Sequence, residues 1–312
     1  MDAEKLKVLF IGGLPRSGST LIETVLNEVP GTLAVGETLH MWERGLRDNE
    51  LCGCGEQFAS CEMWTEVGEK AFGGWDQVDH QRMIDLRWSV DRSRQLPAII
   101  RAHHNGYITS EQDEYVENMS KVLLAAAEAN PGTEVILESS KHLTTAALLS
   151  LDPLLDVRVL HVVRDPRGVA YSWTKKVKRP EAEDDYMPTY PVSRTAFRWV
   201  TDNLGFEVLG RQIQQETIRY EDFLADPESA IRKTLKLAGL NDQMPLPFLT
   251  HDEVTVSKGM HSVAGNPMRF SGDSTVEFRR DEAWRENLTW QKEAQITGIA
   301  GPLLLKYGYS IS

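Results

Sequence analysis

The chain predicts an α/β three-layer sandwich, one domain over residues 1–312, with a mainly parallel five-stranded central sheet flanked by helices. Three observations predict it. Short apolar, β-branched runs alternate with helical patterns along the whole length. No Pro-, Gly- or Ser-rich linker and no internal repeat divides the 312 residues. Glycine-rich or charged segments follow the strand patterns, where open parallel sheets bind their ligands.

The first strand pattern, Val8-Leu9-Phe10-Ile11, breaks into Gly12-Gly13, crosses Pro15-Arg16, and reaches Gly18-Ser19-Thr20 as a helical pattern opens at Leu21. Glycines there let backbone N–H groups and a helix N-terminus converge on an anion. Gly13 and Gly18 have the spacing of the phosphate loop G-x-x-x-x-G-K-[ST], but Ser19 stands in the lysine position and Arg16 is the loop's only cation. In a nucleoside triphosphatase that lysine reaches the β- and γ-phosphates. A loop without it is expected to hold a different ligand.

Thr32 to Val35 reads as a second strand, after which Glu37 stands at the ligand rim. It is a candidate base, or equally a first-turn acid of a helix over 38–45. A third strand over Thr133 to Leu137 leads to Glu138-Ser-Ser-Lys141-His142 at a helix start. Lys141 is a candidate point cation for a departing anion, and His142, with an ordinary pKa near neutrality, a second candidate base. The fourth strand, Asp156 to Val163, breaks into Arg164-Asp165-Pro166, with Pro166 opening a helix that carries Ser172 two turns on. Arg164 and Ser172 can clasp one phosphate. Thr217 to Tyr220 is the fifth strand. Near the C-terminus a Gly265-Asn-Pro turn presents Arg269, which suits a loop folding over an anion.

Composition excludes several classes. A formal net charge of −12 argues against a nucleic-acid or membrane-surface partner, so an anionic ligand must be held by local cations and amides. No stretch has the length of a transmembrane segment and MDAEKLK runs straight into a strand, so a soluble, cytoplasmic protein is expected. Three cysteines are too few for a disulfide scaffold. Cys52, Cys54 and Cys61 read as free or redox-paired thiols in a loop; the other reading is zinc with His40 or His80 as fourth ligand, but their spacing fits no standard zinc module. The stretch 65–110, with Trp75, Trp88 and His103-His104, is expected to cover an acceptor pocket, and 174–193, rich in charge and proline, to form a lid.

The Lys7–Thr20 loop resembles the 5′-phosphosulfate loop of sulfotransferases that use 3′-phosphoadenosine 5′-phosphosulfate (PAPS), and R-D-P followed by Ser172 resembles their 3′-phosphate motif. The resemblance implies a P-loop-like sandwich in which Arg16, Ser17, Gly18, Ser19, Thr20, Arg164, Ser172 and Arg269 bind PAPS and its product PAP. V-G-E-T resembles the segment of tyrosylprotein and carbohydrate-type sulfotransferases in which the matching glutamate deprotonates the acceptor hydroxyl. In cytosolic small-molecule sulfotransferases a histidine follows the corresponding lysine instead, so Glu37 and His142 compete for one role. Arg16 and Lys141 would bear charge on the transferred group, and no metal is required. The acceptor is a hydroxyl on a small molecule, glycan or lipid; oligomeric state is open. The alternatives are a small-molecule kinase using ATP and a non-catalytic nucleotide sensor.

Overall fold

The structure, a computed structural model, describes residues 5–178, 186–256, 259–265, 270 and 274–311. Five strands, β1 (Leu6–Gly12), β2 (Thr32–Gly36), β3 (Val135–Lys141), β4 (Leu155–Val163) and β5 (Gln215–Arg219), form one sheet in the order β2-β3-β1-β4-β5. Every pairing in it is parallel. Buried on both faces, β1 is a continuous apolar run whose alternate residues serve two cores. Val8 and Phe10 pack with α2 (Glu62–Phe72), α3 (His80–Val90), α4 (Leu96–Asn105), α5 (Ser110–Ala129) and α6 (Leu143–Leu149). Leu9 and Ile11 pack with α1 (Ser19–Asn27), α9 (Tyr220–Ala225) and α10 (Pro227–Ala238). A smaller core joins α7 (Pro166–Ser172) and α8 (Val192–Leu209) to the closing helix α12 (Trp290–Lys306), with α11 (Trp284–Asn287) beside α7.

Several boundaries differ from the sequence reading for physical reasons. β3 does not end at Leu137 but runs on through Lys141, because Glu138, Ser139 and Ser140 are buried and find polar partners inside. The helix expected over 38–45 is a single 3₁₀ turn, Thr38–His40, followed by a π-helix, Met41–Arg47. A short antiparallel hairpin, β6 (Glu253–Thr255) with β7 (Thr275–Glu277), lies in a segment too polar to read as strands. Residues 65–110 are largely helical packing. Trp75 sits against Trp42, Phe58 and Phe72 in an aromatic cluster, and exposed Trp88 lies between Arg87 and Arg92. No described helix is long and apolar enough to cross a membrane.

The turn after β1 depends on a glycine. Gly13 has φ 136°, and a Cβ there would stand 2.3 Å from the carbonyl oxygen of Val162 in β4. Gly13→Ala is therefore expected to destabilise the protein by about 2 kcal/mol or more, from a left-handed backbone and a clash with rigid main chain. Urea unfolding monitored by circular dichroism measures it, and a variant within about 0.5 kcal/mol of the parent contradicts the packing described.

Candidate active site

All five strands deliver a residue from their carboxyl ends to one cleft of about 580 Å³. The segment after β1 gives Arg16 and Gly18 to Thr20, β2 leads to Glu37, β3 ends in Lys141, β4 leads to Arg164 and β5 to Tyr220. Of the site residues read from the sequence, Arg16, Gly18, Ser19, Thr20, Glu37, Lys141, His142, Arg164 and Ser172 line this cleft. Ser17 does not: it is buried, and its N–H turns back to the Leu14 carbonyl. Arg269 lies outside the described residues, as do 179–185 of the expected lid; Met187, Pro188 and Tyr190 of that segment do line the cleft. None of residues 65–110, the stretch expected to cover an acceptor pocket, lines this cleft.

The floor is the loop and the start of α1. Gly18 caps the helix with φ 90°, and a Cβ would meet the Tyr220 ring at 2.2 Å. No side chain caps this end, so the first-turn N–H groups of Ser19 to Leu21 face the cleft with the positive end of the helix dipole. Arg16, with φ 78°, lays its guanidinium over the Trp173 ring at 5.3 Å and against Met187 Sδ at 2.7 Å. Arg164 donates to the carbonyl oxygens of Arg16 and Asp281 at 3.0 and 3.2 Å and stacks on Tyr220. The side chain read as a phosphate fork thus also braces the loop.

On the other wall Lys141 leaves β3 with φ 68°, a strained conformation for a residue with a side chain. The turn sends its buried ammonium to Glu37 Oε1 at 2.5 Å and to the Ser139 carbonyl at 2.9 Å. His40, entertained from sequence as a zinc ligand, instead stands 3.6 Å from Glu37 Oε2. His142 borders the same wall; burial, then the nearby His40, Arg198 and Arg87, push its imidazole down to about 3. It is neutral at physiological pH, and the fold opposes the imidazolium that base catalysis would make of it.

Two buried carboxyls underneath escaped the sequence reading as functional groups. Glu23, on α1, accepts from the Gly36 N–H at 3.1 Å and the Ser139 hydroxyl at 2.8 Å. Glu138 accepts from the N–H and hydroxyl of Thr38, at 3.1 and 2.7 Å, and from both donors of Ser140. Together they hold the main chain on both sides of Glu37. Burial pushes each up to about 7, against the lowering effect of their donors. The signal in sequence was an acid on the apolar face of a helix, and another inside a strand.

Fold and site define an α/β protein that receives an anion on a glycine loop and helix N-terminus, with a carboxylate–ammonium pair across from it. A model of the sulfotransferase family matches residues 9–244, and the chain belongs to that family: it is a sulfotransferase, which sets aside the kinase and sensor readings. It is 25% identical over 329 aligned positions to carbohydrate sulfotransferase 5 of Mus musculus, covering 98% of this chain and 81% of that protein. With carbohydrate sulfotransferase 6 of Homo sapiens it shares 24% identity over 94% of this chain and 78% of the relative. The fold is similar to the sulfotransferase domain of the Synechococcus PCC 7002 olefin synthase, with TM-score 0.50, 19% identity and 96% of each chain covered. It is also similar to the sulfotransferase domain from the curacin biosynthetic pathway, with TM-score 0.50, 16% identity, and 99% and 100% covered.

The buried acids set a pH dependence. The fold raises Glu138 from 4.5 to about 7, so it favours the protonated form. The stabilisation is complete below about pH 4.5 and is lost as pH rises through about 7, where a buried charge must be accommodated. Glu138→Gln removes that titration: its Tm, relative to the parent, is expected to rise from about pH 4.5 to about 7 and to level off above it, read by calorimetry across that range. A constant difference between the two proteins contradicts the assignment.

Proposed function

We propose that the protein transfers the sulfuryl group of PAPS to an acceptor hydroxyl, with Glu37 as the base. The observation that carries the reading is the Lys141–Glu37 pair, set in the cleft opposite the loop and α1. When bound, PAPS supplies a sulfuryl group on a good leaving group: the acceptor oxygen bonds to sulfur, the bridging S–O bond breaks, and PAP leaves. Glu37 Oε takes the hydroxyl proton. Lys141 orients that carboxylate and is the cation able to follow charge onto the leaving oxygen. The amides of Ser19 to Leu21 and Arg16 receive the sulfuryl and 5′-phosphate oxygens. Arg164 and Ser172 hold the 3′-phosphate, with Arg269 as a further ligand by resemblance, contributing position rather than chemistry.

The acceptor is read from the remaining wall, where Trp173 and Tyr190 pack with centroids 4.9 Å apart and Met187 and Pro188 adjoin them. Beside them stand His40, Arg44 and Arg198. Aromatic faces next to fixed donors suit a hydroxylated ring, as in a sugar or phenol. The carbohydrate sulfotransferase relatives favour the sugar.

Glu37→Gln is expected to lower kcat by about 10²- to 10⁴-fold while leaving PAP affinity within a few-fold, whereas His142→Ala keeps kcat within about tenfold. Sulfuryl transfer from labelled PAPS and calorimetry with PAP measure both. Full activity in Glu37→Gln moves the base to His142, and tight binding of ATP with none of PAP overturns the donor.

A further inference from the structure

Outside the cleft, three cysteines and a histidine meet. Cys52, Cys54, Cys61 and His261 each offer one ligand atom, and the four atoms lie within 4.8 Å of one another. All three thiols are free. Cys54 Sγ and Cys61 Sγ are 3.8 Å apart, and Cys61 Sγ is 3.2 Å from His261 Nδ1. A disulfide needs about 2 Å between sulfurs. The 3.8 Å spacing instead matches the edge of a tetrahedron whose centre lies about 2.3 Å from each sulfur, the Zn–S bond length.

The N–H of Cys54 faces the Cys52 sulfur, that of Glu56 faces Cys54, and that of Trp64 faces Cys61, so each sulfur receives one backbone donor. Such outer donors stabilise sulfur charge in metal centres. Trp64 Nε1 donates to the His261 carbonyl at 2.8 Å and stacks on Phe58, fixing the histidine's main chain. Cys52 and Cys61 are buried while Cys54 is exposed, which leaves an approach for an ion.

We infer that Cys52, Cys54, Cys61 and His261 form a structural zinc site. Three sulfurs and one imidazole are a soft, closed tetrahedral set, which selects zinc over magnesium or calcium and leaves no open position for catalysis. The site fastens a strap. Next to His261, the Gly53 N–H donates to the Ser262 carbonyl at 3.0 Å, the Val263 N–H to the Val35 carbonyl at 3.0 Å, and the Glu37 N–H to the Val263 carbonyl at 2.7 Å. Zinc would thus hold the residues that hold the main chain of Glu37, with no part in sulfuryl transfer.

Tag-free full-length protein, purified without added metal, is expected to carry about one zinc per chain by elemental mass spectrometry, with an X-ray absorption edge fitting three sulfurs and one nitrogen. Cys61→Ser is expected to lose the metal. Should that variant fail to fold, stripping the parent with a chelator is expected to lower Tm and speed amide exchange at Glu37 and Val263, both restored by zinc and not by magnesium. Folded parent protein with no zinc that fails to take it up overturns the inference, as does a mass deficit of about 2 Da from a disulfide between two of the cysteines.

Discussion

Lys141 brings the ammonium that meets the Glu37 carboxylate in the cleft, and its backbone is bent to do so. A lysine in the left-handed region costs on the order of 1 kcal/mol or more, and the surroundings hold it there from three sides. Its ammonium binds Glu37 and the Ser139 carbonyl, and its own carbonyl accepts the Gly13 N–H at 3.3 Å. The glycine loop, the end of β2 and the end of β3 are therefore one unit. If Glu23 and Glu138 were both ionised, three carboxylates would surround that single ammonium and repel any incoming anion. Burial raises both to about 7, so near neutrality about half of each is protonated and the two together add about one negative charge rather than two. Holding the main chain with carboxyls that are only partly ionised lowers the repulsion an incoming anion would meet.

The rest of the cleft meets the same problem in a chain of net charge −12. Its cations arrive already matched: Arg44 with Glu50, Arg198 with Asp202, Arg279 with Glu277, Arg164 with Asp281. On the proposed reading, an entering anion would exchange these carboxylates for its own oxygens rather than fill an electropositive hole. Arg16 differs, its guanidinium lying on Trp173 and Met187. The uncapped start of α1 supplies fixed dipoles that require no such exchange. Gly13 and Gly18 are both positions where a Cβ would strike a neighbour within 2.5 Å.

Much of this was legible in the sequence because parallel sheets put chemistry at strand ends and the strand ends are marked. Arg16, Glu37, Lys141 and Arg164 were each found by that rule. What it missed has a common cause. Glu23 and Glu138 are acidic residues that take partners from other elements, Gly36 and Ser139 for one and Thr38 for the other, so neither residue shows alone that it is buried and hydrogen-bonded. Residues 65–110 look like a binding surface because tryptophan, histidine and arginine suit one, yet Trp75 closes an aromatic core and Trp88 rests between two arginines. Ser17 shares the loop's composition, but it is buried and its N–H bonds back to Leu14. Cys61 and His261 are 200 positions apart, and no local spacing announces a pair that only the folded strap assembles.

That strap also answers a question posed by the sheet. β2 is an edge strand, and an open edge beside a glycine is a place where pairing continues. Val263 makes a parallel bridge to Gly36 there, and Gly36 has φ 77° with room for nothing larger, since a Cβ would stand 2.6 Å from the Val263 carbonyl. One short segment thus caps the sheet, fixes the amide of Glu37 and continues to Gly265, which already lines the cleft. Glu37, the proposed base, and the chain that continues into the cleft are set by the same few hydrogen bonds. A disturbance at the cysteine cluster would therefore reach Glu37 and the Gly265 side of the cleft together, although none of the cluster's four side chains borders it.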